Sequence, residues 1–97
     1  MHPNNGIIYA VIDTKADAIV GGLQLHRADA AAIRAFGDIA SDPQTIIARH
    51  PEDFELRRLG FIDINNEIVT PSTESDTIIT GAQWKAAQQP QENTDNA

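Results

Sequence analysis

His50-Pro51-Glu52-Asp53-Phe54-Glu55-Leu56-Arg57-Arg58-Leu59-Gly60-Phe61-Ile62-Asp63 joins an acidic turn, a strand and the way into a hairpin. Pro51 fixes its own φ and pushes His50 toward an extended conformation, while Glu52 and Asp53 keep the turn solvated. From Phe54 the residue types favour a strand. Simple alternation fails inside it, because Phe54 and Leu56 share one face whereas Leu59 and Phe61 fall on the other. One unpaired residue near Arg57 or Arg58 returns all four to one side, so the stretch predicts a β-bulge there; the alternative is a strand buried on both faces. Asp63-Ile64-Asn65-Asn66 reads as the hairpin turn, with asparagine at positive φ, and Glu67 to Thr70 as the returning strand. Pro71 to Asp76 then reads as a polar loop.

Upstream, Gly6 to Asp13 sets Ile7, Tyr9 and Val11 against Ile8, Ala10 and Ile12, so both faces are apolar and the segment suits a central strand. If this chain's own helix covers only one of those faces, the other requires a partner. Asp13 to Ala18 reads as a turn or short helical segment. Ile19 to Leu25, punctuated by Gly21-Gly22, reads as an edge strand or an ordered loop. Ala28 to Ala40 is the strongest helix: it is alanine-rich, Asp29 favours its N-terminus, and Ile33, Phe36 and Ala40 recur at helical spacing, with Gly37 a local weakness. Ser41-Asp42-Pro43 ends that helix and predicts a second, short one from Pro43 to about Arg49, with Asp42 as its cap. Within Thr77 to Ala87 a helix is favoured from about Gly81. Residues 88–97 hold glutamine, asparagine, proline and acid and are expected to be disordered, leaving residues 1–87 as a single small domain.

The fold class that follows is α+β, a small antiparallel sheet of about three strands (from Gly6, Phe54 and Glu67) with one main helix and a short second helix. A 97-residue chain buries only about 60–65% of the surface its unfolded form exposes, so self-association would add stability, and a homo-oligomer is expected. The absence of cysteine excludes disulfides, zinc–thiolate sites and cysteine nucleophiles. The longest apolar run, Ile7 to Ile12, is far below the roughly 20 residues of a membrane helix, and the N-terminus has no basic region ahead of it as a secretory signal would, so a soluble cytoplasmic protein is expected. The net charge of −7 repels polyphosphate and argues against tight binding of nucleic acid.

Few residues compose a site. His2, His26 and His50 are scattered, so no metal is expected. Glu52 and Asp53 are adjacent in a turn, with nothing to bury them as a catalytic pair, and a structural role is expected. Asp13-Thr14-Lys15 sits at a strand exit with neither a phosphate loop nor a metal cluster beside it, which favours loop fixing. Arg57 and Arg58, with Arg34 on the helix, are the candidate contacts to a partner or to nucleic acid; the competing expectation for the strand pair is surface ion pairing with the plentiful acids. Arg57 and Arg58 point to opposite faces unless the bulge rotates one. No catalytic constellation or cofactor motif is present, and no enzyme is expected.

Pro51-Glu52-Asp53-Phe54, then Leu56, Leu59-Gly60 and Asp63, resemble the small non-structural protein of gokushovirus-type microviruses, phages with single-stranded DNA genomes. Tyr9-Ala10-Val11-Ile12-Asp13-Thr14-Lys15-Ala16 is similar to that family's opening strand and its Asp-x-Lys-Ala exit, Ala32 to Phe36 to its helix, and Asp42-Pro43-Gln44-Thr45 to its helix stop. Three segments depart from it: Ile19 to Leu23 replaces an aromatic-rich run, the hairpin glycine is replaced near Glu67, and the chain after Trp84 has no counterpart. The resemblance implies a protein absent from the mature virion that acts in the host cytoplasm in production of the single-stranded genome, at the switch from duplex replication toward packaging. It makes Tyr9, Asp13, Lys15, Phe36, Pro51, Glu52, Asp53, Phe54, Leu59, Gly60 and Asp63 motif residues, expected to be structural. Replication or packaging proteins of phage or host are the expected partners of an adaptor. Direct single-stranded DNA binding and service as a minor virion component are the alternatives.

Overall fold

The computed structural model describes residues 6–88, with strands β1 (Gly6–Asp13), β2 (Ala18–His26), β3 (Phe54–Asp63) and β4 (Ile68–Thr80) and helices α1 (Asp29–Ala40), α2 (Ile46–Arg49) and α3 (Gly81–Gln88); a 3-10 turn spans Pro51–Asp53. The fold is α+β, as expected. All strand pairs are antiparallel, in the order β2-β1-β3-β4, so the Ile-rich first strand is central and the Ile19–Leu25 run settles as an edge strand, making four strands rather than about three. The disordered segment expected over residues 88–97 lies outside the described residues except for Gln88, which ends α3.

Residues opposite one another in an antiparallel pair share a face, so the register assigns sides. Ile7, Tyr9 and Val11 of β1 line up with Phe61, Arg58 and Leu56 of β3, and this is the side that the helices cover. Its core is Tyr9, Val11, Ala32, Phe36, Ile47, Phe54 and Leu56, with Tyr9, Phe36 and Leu56 wholly buried. Ile8, Ala10 and Ile12 face the other way, beside Leu25, Leu23 and Ile19 of β2 and Gly60, Arg57 and Glu55 of β3. No helix lies over that side among the described residues. Leu23 and Val69, which pairs with Ile62 there, are 65% and 62% exposed.

The bulge is present at Leu59: Tyr9 pairs with Arg58 and Ile8 with Gly60, which leaves one β3 residue over. It brings Phe61 back to the side of Phe54 and Leu56, as the alternation requires. Leu59 itself occupies the bulge, and Phe61 stays 45% exposed. On the other flank Gly21 and Gly22, at φ of 84° and 104°, form an insert that β1 does not match, since Ala10 pairs with Leu23 and Val11 with Val20. Both glycines occupy backbone conformations that a Cβ disfavours.

Three local expectations are corrected. The second helix starts at Ile46 rather than Pro43, because the Asp42 carboxylate accepts from Gln44 N and closes a turn, while Thr45 takes the capping role and accepts from Ala48 N at 3.2 Å. In the hairpin the positive φ falls on Glu67, at 55°, and not on asparagine; Asn65 N and the Asn66 amide instead donate to the Asp63 carboxylate. Pro71 to Asp76 is strand rather than loop, and the returning strand begins at Ile68. β4 is an edge, where a proline forfeits no ladder bond on its outer side, and the pairing jumps from Arg58 with Asp76 to Gly60 with Pro71, so residues 72–75 are taken up as an irregularity. The helix expected from Gly81 begins there.

Candidate partner-binding surface

Arg58 lies on the helix side of β3 and Arg57 on the open side, so the two do not join one surface. The Arg58 guanidinium donates to both Asp29 oxygens, at 3.2 and 3.0 Å, and to Asp76 Oδ2 at 2.8 Å. Tyr9 Oη donates to the same Asp29 carboxylate. One network thus ties β1, the first turn of α1, β3 and β4 together. Burial, followed by the bond to Asp29, raises the Tyr9 phenol well above its usual range, so the hydroxyl stays protonated and keeps donating. Arg57 Nε donates to Glu55 Oε2, which also accepts from Thr77 Oγ1 at 3.0 Å. Arg34 is exposed on α1, away from that strand.

The Asp13 carboxylate accepts from the backbone nitrogens of Lys15 and Ala16 at 3.0 and 3.1 Å, closing the turn after β1. Thr14 N and Oγ1 both donate to the Asp53 carbonyl, and Lys15 Nζ is 3.6 Å from the Asp53 carboxylate. The strand exit and the Pro-Glu-Asp turn, quoted above as separate motifs, are therefore bound to each other. The 3-10 turn also gathers ligand-capable atoms of His50, Glu52 and Asp53 within 4.8 Å of one another, closer than adjacent turn residues suggest. His50 and Glu52 are exposed and Asp53 already meets Lys15, so nothing there buries a carboxylate or singles out an ion.

Gly60 pairs with Pro71, and a Cβ there would press on the Thr70 carbonyl, which accounts for glycine in the Leu-Gly motif. Pro51 is buried, and its carbonyl packs against Gly81 at the start of α3. A model of the phage ORF5 protein family matches residues 6–84, well over half of the chain. The chain belongs to the phage ORF5 protein family. No curated protein and no solved structure matches it. The family match spans all four strands, α1 and α2, and reaches Trp84 in α3, so the motif positions and the ion-pair network all fall inside the ORF5 region. No helix among the described residues is long and apolar enough to cross a membrane.

Two clefts remain. One, of about 400 Å³, opens where the C-terminal ends of α1 and α2 meet α3, with Trp84, Arg49 and Lys85 in its wall. The other, of about 380 Å³, lies by the start of β1 and is walled by Ile7, Arg27, Phe61 and Asp63. The first cleft has no local sequence signal, because its residues come from segments 40–51 and 81–88.

Proposed function

We propose that this phage protein is a non-structural, non-enzymatic adaptor that acts in the host cytoplasm in production or packaging of the single-stranded genome, by binding replication or packaging proteins of phage or host. The observation that carries the reading is what becomes of the groups a DNA-binding groove needs. Arg57 and Arg58 are held by carboxylates on opposite faces of the sheet, and Tyr9, Phe36 and Phe54 are buried. Single-stranded DNA binding relies on a basic track with stacking aromatics, and a chain of net charge −7 works against it over long range. What the surface offers instead is aliphatic: the open sheet face with Ile19, Leu23, Leu25 and Val69. A second copy of the chain is the occupant proposed for that face, which makes the adaptor a homo-oligomer.

The test is a titration of oligonucleotide against the fluorescence of Trp84, the one tryptophan of the chain, at low and near-physiological salt, repeated with Arg34→Ala, Arg57→Ala and Arg58→Ala. Weak binding that vanishes with salt is expected. Tight binding that survives physiological salt and collapses in the arginine variants would overturn the adaptor reading in favour of direct DNA binding. Mass spectrometry of purified particles is expected to find no copy of the chain; a stoichiometric presence would make it a virion component.

A further inference from the structure

We propose that the cleft between α1, α2 and α3 is a binding site for an acidic peptide segment of the partner protein, one that places a carboxylate side chain beside an apolar one. The inference rests on the adaptor reading and names the surface through which it works.

The chain has fourteen Asp and Glu against seven Lys and Arg, yet among the described residues no acid lines this cleft, whereas Arg49 and Lys85 both do. Most other basic residues are engaged: Lys15 with Asp53, Arg57 with Glu55, Arg58 with Asp29 and Asp76. Among the described residues Arg49 Nη2 donates to the Gln44 carbonyl, at 3.2 Å, a bond that aims the guanidinium without neutralising it. Two cations whose charge no carboxylate of the described residues meets thus share one concavity in an otherwise acidic protein. Pro43, Pro51 and Trp84 give the same lining an apolar part. A guanidinium, an ammonium and an indole lining one cleft suit a carboxylate with an aliphatic neighbour, the acid meeting the charges while the apolar group leaves water.

The cleft is also held in shape. Thr80 and Gln83 cap α3 reciprocally, Thr80 N donating to Gln83 Oε1 at 2.9 Å and Gln83 N to Thr80 Oγ1 at 3.0 Å. Trp84 Nε1 donates to Ser41 Oγ at 3.2 Å, and the ring sits in a notch that exists because residue 37 is glycine. A wall fixed before binding reduces the ordering cost of taking up a flexible segment. A nucleic acid strand fits this arrangement less well than a peptide does, because two cations meet only a short length of polyphosphate while the protein's net charge repels the remainder.

The experiment is selection of displayed random dodecapeptides on the full chain, followed by titration of the selected peptides against Trp84 fluorescence. Enrichment of Asp or Glu next to an aliphatic residue is expected, with saturable change in the tryptophan signal and at least a tenfold loss of affinity in Arg49→Gln/Lys85→Gln, whose circular dichroism should match the parent's. Peptides without acids, or affinity indifferent to the double substitution, would overturn the proposal. So would displacement of the peptide by an equally charged oligothymidylate, which would make polyphosphate the ligand, and so would a large gain in affinity on cutting the chain after Gln88, which would make residues 89–97 the natural occupant. Failure here, together with weak oligonucleotide binding in the earlier titration, would leave the adaptor reading standing and move its contact to another surface.

Discussion

The two faces of the sheet are built from the same kinds of residue and end in different states. On one, Tyr9, Val11, Phe54 and Leu56 are sealed under Phe36 and Ala32 of α1; on the other, Ile19, Leu23, Leu25 and Val69 stay half or more exposed. The difference lies in what the rest of the chain supplies. One twelve-residue helix and two shorter ones cover one side of four strands and no more. On the open side Ala10 and Ile12 are nevertheless buried, because Ala10 is flanked in register by Leu23 and Arg57 and Ile12 by Ile19 and Glu55. Burial at the middle of an uncovered face is therefore supplied by neighbours on the same sheet, and the exposed aliphatics are the rim that a second copy would cover.

The largest effect should come from breaking the sealed side. Phe36→Ala removes the aromatic at its centre and should cost about 3–5 kcal/mol, the range for aromatic truncation in a closed core. Small domains have only about 5–15 kcal/mol of stability in total, so chemical denaturation should show either a midpoint shifted far down or a chain already unfolded. A loss below about 1 kcal/mol would mean that the helix is not sealed onto the sheet in solution.

Next is the polar tie across the same face. Tyr9→Phe keeps the ring and loses the bond to Asp29, which stays held by Arg58, so a cost of about 1.5–3 kcal/mol is expected for a bond to a charged acceptor. The pH dependence gives a second readout. The folded protein holds the Tyr9 proton more tightly than the unfolded chain does. Its contribution is complete below about pH 10, where an unfolded tyrosine starts to ionise, and is lost as pH rises from there toward the folded-state value. Thermal melts of the parent should therefore fall more steeply above about pH 10 than those of Tyr9→Phe. Parallel curves would show that the hydroxyl is not buried against Asp29.

Gly37 sharpens the comparison at the edge of the sealed side. An alanine there gains about 1 kcal/mol of helix propensity, but its Cβ would run into the Trp84 ring, and overpacking of this kind costs about 1–3 kcal/mol. A net loss of about 1 kcal/mol is expected, together with a shift of Trp84 emission toward that of a more exposed indole. A more stable protein with unchanged emission would mean that α3 does not dock on α1.

What the sequence discloses of all this follows the range of the interactions. β1, α1, the Phe54 strand with its bulge and the helix from Gly81 are legible because alternation, alanine content and a parity break are local signals. Pro71 to Asp76 reads as loop because its strand character comes from pairing with β3, and Ile19 to Leu25 stays undecided because only β1, beside it, draws it into the ladder. Glu67 takes the positive φ that asparagine adopts more readily, since Asp63 already engages both asparagines. The Tyr9–Asp29–Arg58–Asp76 network gathers residues from four elements and has no local signature. Once the pairing that starts at Phe54 places Arg58 opposite Tyr9, however, a charge on the helix side demands an acid, and Asp29 stands at the start of the helix above. Gly37 reads as a weakness in α1 for a similar reason: the ring that needs the space is 47 positions away.

The smallest effect on stability, and the most direct test of the open face, is Leu23→Ser combined with Leu25→Ser. Both side chains are more than half exposed in the single chain, so the folded monomer loses little burial and its intrinsic stability should change by no more than about 0.5 kcal/mol. Association should respond instead. If a second copy covers this face, the parent scatters light as a dimer or larger at micromolar concentration, and its melting temperature rises with protein concentration because only the folded chain associates. The double variant should be monomeric, with a melting temperature independent of concentration. A parent that is itself a concentration-independent monomer would break the inference that the rim awaits a copy of this chain. A variant that unfolds outright would place Leu23 and Leu25 within the monomer's own core, and the contrast between a sealed and an open face would then belong to neither sequence nor fold.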